Sequence, residues 1–258
     1  MAVNIEKKYQ KLTDTEHVLL RPGMYVGSIK PHTEEVFLPI KGKDQFQLTE
    51  VTYNPGFLKL FDEIISNSVD EHKRNPKLNR IKIEINQDTG LISVWDNGGI
   101  PVEIHKEYDE WVPEMIFSNL KTGSNFDDSE DRIVVGTNGV GSTLTNIFSK
   151  EFKIETCDGK KQFNQTFTNN MAKRTKPKIT RKKTKHTTIS YLTDFERFGL
   201  KGIDRHHFLM ITKRLIDIAA CNPSLKIFLN SNPISFRTFK DYANRYVTPI
   251  FYEQSEHW

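Results

Sequence analysis

The chain has 258 residues, 36% of them hydrophobic and 27% charged, and its 17 Phe, 8 Tyr and 3 Trp can build a sizeable core, which suits one large soluble domain and excludes a disordered chain. No run of 18 apolar residues exists and the opening MAVNIEKKYQKLTD has no apolar stretch, so neither a helical membrane span nor a secretory signal is expected, and the cytoplasm is the expected compartment. The net charge is a modest +4, and the two cysteines, Cys157 and Cys221, lie far apart, which excludes a disulfide framework and a four-cysteine zinc site.

Residues 1–30 read as an arm that ends in a turn at Pro22-Gly23. A helix is predicted over Phe57–Arg74, because Leu60, Phe61, Ile64, Ile65 and Val69 recur at helical spacing and Pro76 follows. Two strands, 80–86 and 91–96, flank a turn at Asp88-Thr89-Gly90. A second helix is predicted at 112–120. Residues 121–138, rich in Gly, Ser, Asn and Asp, read as a long loop over a site. The turn Gly136–Gly141 leads into a helix at 142–149. Strands follow at 151–156, 162–168 and 187–192, then a helix at 204–220 and a strand at 224–230. Between these, residues 173–185 (KRTKPKITRKKTK) hold eight basic residues and no acid; without them the +4 of the chain becomes −4. That strip reads either as a solvated hairpin or as a surface for nucleic acid. The element order argues for an α/β layer with a mixed sheet and not for a doubly wound array.

Three segments carry chemistry. On the first helix Glu63, Asn67 and Asp70 stand at i, i+4 and i+7 and share a face; a carboxylate can act as a base, and an amide oxygen is a hard ligand for Mg²⁺. Alone, such a set is an ordinary solvated face. Asp96-Asn97-Gly98-Gly99-Ile100-Pro101 closes a strand, where an Asp can accept from an exocyclic amine and paired glycines let backbone approach a ligand; alone it is an ordinary turn. Gly136, Gly139 and Gly141 precede a helix and can offer N–H groups to phosphates, but no Walker A lysine follows.

In this order the three segments resemble the nucleotide-binding boxes of the Bergerat-type (GHKL) ATPases, and within them the ATPase domain of type IIA DNA topoisomerases: FDEIISNSVDE is similar to the first box, DNGGIP to the second, VVGTNGVGSTLTNIFS to the third and HTTISYLTDFERF to the fourth. YQKLTDTEHVLLRPGMYVGS, VPEMIFSNLKTGSNFDD and KIFLNSNPISFRTFKDY resemble topoisomerase-specific parts, and the wording of the third box looks closest to the large subunits of T4-like phage topoisomerases. The resemblance implies a two-layer α/β (α+β) sandwich, with a mixed, mostly antiparallel sheet and helices on one face. It implies an arm over 1–30, an ATPase domain over 31–245 and, at 246–258, the start of a further transducer domain that the chain does not contain.

The resemblance also implies roles. Glu63 would be the general base and Asn67 the Mg²⁺ ligand, with Asp70 and Glu71 supporting them. Asp96 would accept from the adenine amine with help from Thr188, and Gly98, Ile100 and Pro101 would line the base. Ser124 and Asn125 would sit near ribose and phosphates. Asn138, Gly139, Val140, Gly141 and Ser142 would wrap the triphosphate. Tyr9 would reach the partner's nucleotide in an ATP-dependent homodimer formed by arm exchange. Duplex DNA and further topoisomerase domains or subunits are the implied partners, with no membrane. Two departures stand out: DNGGIP lacks the arginine of the usual DNGRGIP, and Thr143 replaces a lysine found in eukaryotic relatives. Alternatives are another ATPase of the superfamily, of the mismatch-repair, chaperone or histidine-kinase type, or a non-enzymatic module that binds nucleotide or DNA.

Overall fold

The computed structural model describes residues 9, 11–120, 122 and 139–246. The first helix, α1 (Asp14–Leu20), starts at a capping box in which the Thr13 hydroxyl accepts from the Glu16 amide and the Glu16 carboxylate accepts from the Thr13 amide. A 3-10 turn at Pro22–Met24 follows. Val18 and Val26 are buried in the main core, so this part of the segment read as an arm is fastened to the body. Strands β1 (His32–Pro39) and β2 (Phe46–Tyr53) form a separate antiparallel hairpin, which the sequence reading did not predict.

The long helix α2 (Pro55–Arg74) begins two residues earlier than predicted. Its start is fixed by Asn54, which is fully buried. The Asn54 Oδ1 accepts from the Phe57 amide at 3.0 Å, Nδ2 donates to the carbonyls of Ile29 (2.6 Å) and Phe198 (2.9 Å), and the Asn54 amide donates to His207 Nε2 at 2.9 Å. A side-chain cap of this kind satisfies one of the orphan amides of the first turn. Pro55 suits the first helical position, and His72, Lys73 and Arg74 in the last turn complement the negative end of the helix dipole.

Strands β3 (Arg80–Ile85) and β4 (Leu91–Asp96) form the expected hairpin. A short ladder of β5 (Ile104–His105) and β6 (Glu110–Trp111) leads into α3 (Val112–Ser118). After the loop predicted at 121–138, which apart from Thr122 lies outside the described residues, come α4 (Gly141–Ile147), β7 (Ser149–Cys157), β8 (Lys161–Thr168), β9 (Lys173–Arg174), β10 (Lys178–Arg181) and β11 (His186–Thr193). The chain closes with α5 (Arg205–Cys221), β12 (Lys226–Leu229), β13 (Asn232–Ile234) and α6 (Phe239–Ala243). The transducer start expected at 246–258 lies, beyond Tyr246, outside the described residues.

Nine of these strands make one sheet in the order β10-β8-β7-β11-β4-β3-β12-β13, with β9 also on β8. Every neighbouring pair is antiparallel except β3 and β12, which run parallel. Alternation along the strands sends Ile81, Ile83, Val94, Phe152, Ile154, Phe163, Ile189 and Tyr191 to one side, where they share a core with the apolar stripe of α2. The other side is polar. There Lys82 Nζ lies 5.0 Å from the Trp95 ring centre, and the hydroxyls of Ser93 and Ser190 are 2.9 Å apart. The architecture is thus the expected two-layer sandwich with helices on one face of a mixed, mostly antiparallel sheet. Among the described residues no helix is long and apolar enough to cross a membrane.

Because Asn54 joins α2 to Ile29, Phe198 and α5, Asn54→Ala removes a cap and leaves two buried carbonyls without a donor. A loss of about 3 kcal/mol is expected, read by equilibrium urea unfolding. Unchanged stability would show that the start of α2 is fixed by packing alone.

Candidate active site

The site forms where α2 crosses the end of β4. Asp96, the last residue of β4, is 7% exposed. Its Oδ2 accepts from the Ser68 hydroxyl at 2.7 Å and its Oδ1 from the Gly98 amide at 2.9 Å. Burial raises the carboxyl to about 6, the Ser68 and Gly98 hydrogen bonds pull it down, the nearby Glu71 charge pushes it up, and His186 lowers it. Each oxygen keeps acceptor capacity beyond the one bond it makes. Ser68 was not predicted, yet it falls on the apolar stripe of α2, four residues beyond Ile64, and a lone hydroxyl on such a stripe marks a buried polar contact.

The loop after Asp96 is docked against the end of β7. A side chain at Gly98 would crowd the Asp96 carboxylate, and one at Gly99 would overlap the Cys157 carbonyl oxygen. The Ile100 amide donates to Thr156 Oγ1 at 3.0 Å and the Val102 amide to Asp158 Oδ2 at 3.3 Å. The loop that lacks the family arginine therefore lies tight on the sheet. Glu71 pairs with Arg74 on its own helix at 3.5 Å. Ile100 packs on the core and Pro101 is exposed.

Thr188, expected to support Asp96, is not the residue of β11 that faces it. Thr188 lies opposite Trp95 and Glu155 on the polar outer face of the sheet, whereas Thr187 lies opposite Asp96 and Thr156. Thr187 is buried and its hydroxyl is 3.0 Å from that of Thr156. Ile189 and Tyr191 point into the core, and by the period of two the residue that shares their face is 187.

On α2 the Glu63 side chain is 21% exposed and its Oε1 pairs with Lys59 Nζ at 2.5 Å. Asn67 is exposed and Asp70 is buried, so the three do not form a uniform solvated face. Glu63 abuts the first residue of α4: a Cβ on Gly141 would overlap its carboxylate. Gly139 takes a left-handed φ of +59° and its carbonyl accepts from the Thr122 amide at 3.0 Å. Val140 precedes α4 and Leu144 donates back to its carbonyl. The hydroxyls of Ser142 and Thr143 donate to the carbonyls of Ile116 (3.3 Å) and Asn119 (3.0 Å). Those two side chains therefore fasten α4 to the α3 segment, and what Ser142 can offer a ligand is its main-chain N–H, one of the first-turn amides without an intrahelical acceptor. Tyr9 is 69% exposed. Ser124, Asn125 and Asn138 lie outside the described residues.

This arrangement sets the buried Asp96 carboxyl against Ser68 of α2, and the Glu63 carboxylate of the same helix against the start of α4. Residues 53–192 match the sequence profile of the histidine kinase-, DNA gyrase B- and HSP90-like ATPases, and the chain belongs to that family. It is 41% identical over 249 residues to the DNA topoisomerase 2 of Pisum sativum, covering 94% of this chain and 17% of that protein. It is 44% identical over 262 residues to the DNA topoisomerase 2 of Acanthamoeba polyphaga mimivirus, covering 98% and 20%. Its fold is similar to the crystal structure of the ATPase and transducer domains of DNA topoisomerase II from Balamuthia mandrillaris, with a TM-score of 0.89, 38% identity, and coverage of 93% of this chain and 64% of that one. The chain spans about a fifth of the length of the curated relatives it matches. Membership of an ATPase family makes ATP the ligand class of the site.

Two outcomes follow from the geometry. The Asp96 carboxyl is raised in the folded state, so its contribution to stability is whole below the ordinary carboxylate range and is lost as pH climbs through about 6. Urea unfolding from pH 4 to 8 should show the parent losing roughly 2–3 kcal/mol relative to Asp96→Asn; parallel profiles would contradict the burial. Gly141→Ala should displace Glu63 or the start of α4 and weaken ATP binding at least about tenfold by calorimetry, because the close approach of the helix N-terminus would be lost. Wild-type affinity would show that the helix start does not face the ligand.

Proposed function

We propose that this chain is the ATP-binding and ATP-hydrolysing N-terminal region of a type II DNA topoisomerase, and that it works as a gate that ATP closes during DNA strand passage. The observation that supports the reading most is Asp96, a buried carboxyl whose two oxygens each hold one donor and can accept another from the exocyclic amine of adenine. Thr187, through the Thr156 hydroxyl beside it, takes over the supporting role first given to Thr188. Gly98, Ile100 and Pro101 line the base side. The main chain of Gly139, Val140, Gly141 and Ser142 would face the triphosphate, joined by Ser124, Asn125 and Asn138.

Glu63 is the proposed general base: it would take a proton from the water that attacks the terminal phosphate. Asn67 would hold Mg²⁺ through its amide oxygen, and Asp70 and Glu71 would support the site. The donor set fits that ion. Mg²⁺ is commonly held by one or two protein ligands plus phosphate oxygens and water, and among the described residues no cluster of three His, Cys, Asp or Glu side chains competes for a metal. When bound, the ion would offset the charge of the triphosphate.

The proposed organisation is an arm over 1–30 that carries Tyr9 to a second subunit, an ATPase domain over 31–245, and the beginning of a transducer domain at 246–258. Closure would form a homodimer, and duplex DNA and the remaining topoisomerase domains would be its partners. The named relatives come from a plant and a giant virus and lend the T4-like phage affinity no support, so eukaryotic and giant-virus enzymes are the better guide.

Glu63→Ala should keep ATP binding by calorimetry and lose about 10²–10⁴-fold in turnover. Unchanged hydrolysis removes Glu63 from the role, and a parent chain that takes up no ATP removes the reading as a whole.

A further inference from the structure

We propose that the sheet edge made by β8, β9 and β10, with the following residues 182–185, docks the phosphate backbone of duplex DNA. The eight basic residues of 173–185 are all exposed. Two of them are engaged: Arg174 pairs with Glu114 at 3.0 Å and Glu110 at 3.8 Å, and Lys182 with Glu155 at 3.8 Å. Among the described residues no carboxylate lies within 4.0 Å of Lys173, Lys176, Lys178, Arg181, Lys183 or Lys185. Lys160 and Lys161 extend the same edge.

The strip carries a built-in repulsion. Arg181 stands directly opposite Lys161 in the β8–β10 register, and like charges at such positions are destabilising. Charged side chains, lysine above all, guard an edge strand against aggregation. Six unpaired cations and a repulsive cross-strand pair exceed that need, and a polyanion would relieve the repulsion.

The cations are presented on ordered backbone. The Lys182 amide donates to the Lys160 carbonyl at 3.2 Å, the Cys157 thiol donates to the Lys182 carbonyl at 3.3 Å, and His186 Nδ1 lies 3.0 Å from the Thr184 carbonyl. Composition selects the partner. The segment has no Phe, Tyr, Trp or Met, so it offers no platform for stacking unpaired bases. Its one large apolar residue, Ile179, packs on the core, so nothing is left to insert into a bilayer. Thr175, Thr180 and Thr184 add hydroxyl donors between the cations, which suits sequence-independent phosphate contact. The body outside the strip has a net charge of −4, so the strip accounts for the positive net charge of the chain.

The test is fluorescence anisotropy of a labelled duplex with the 258-residue chain, in salt from about 50 to about 200 mM. Three proteins are compared: the parent, Lys178→Gln/Arg181→Gln/Lys183→Gln, and a control of equal net charge, Lys30→Gln/Lys41→Gln/Lys43→Gln. The strip variant should bind at least about tenfold more weakly, with a log–log salt slope smaller by about 2.7, and the control should match the parent. Equal losses in both variants, no binding by the parent, or binding to anionic vesicles but not to DNA overturns the proposal. Thermal melting and ATP calorimetry on the strip variant accompany the assay. Both should match the parent, which separates loss of this surface from unfolding and from failure of the nucleotide reading.

Discussion

A carboxyl group shut between a helix and a strand end is tolerable when its oxygens are occupied and unfavourable otherwise. Asp96 meets that condition through Ser68 on α2 and the Gly98 amide in its own loop. The two bonds tie α2 to the sheet at the point where the site opens, and they orient the carboxylate. Much of the remaining structure serves that contact. Asn54 fixes where α2 begins, the apolar stripe holds α2 on the sheet, and Thr156 and Asp158 hold the loop that follows Asp96. Burial still raises the pKa of Asp96, so the folded protein holds the Asp96 proton more tightly than water would.

The same loop accounts for the missing arginine. Gly99 lies so close to the Cys157 carbonyl that no side chain fits, and Glu71 has Arg74 within reach. The shorter DNGGIP segment is thus held on the end of β7 through Gly99 and Ile100, with Pro101 exposed. Thr143, in place of a lysine, is likewise committed: it is buried and fastens α4 to the α3 segment.

The sequence made some of this readable and concealed the rest for physical reasons. The α2 stripe and the β3–β4 hairpin follow from periods of 3.6 and 2 with clear punctuation, so their limits differ from the prediction by two residues or fewer. The β1–β2 hairpin was missed because its outer face is nearly as polar as a loop, with Val51 and Leu38 among its few buried residues. Thr187 and Thr188 are chemically identical, and only the pairing with Asp96 on the neighbouring strand tells them apart. Ser68 and Thr156 act through residues distant in the chain, which no local pattern encodes.

Among the described residues the one parallel pairing, β12 beside β3, carries a kinetic consequence. Arg80 aligns with Lys226, so during synthesis the β3–β4 hairpin waits with a bare edge while most of the domain emerges. Such long-range closure raises contact order and slows folding, and an unsatisfied strand edge in a nascent chain is a point where chaperones or a second chain can attach.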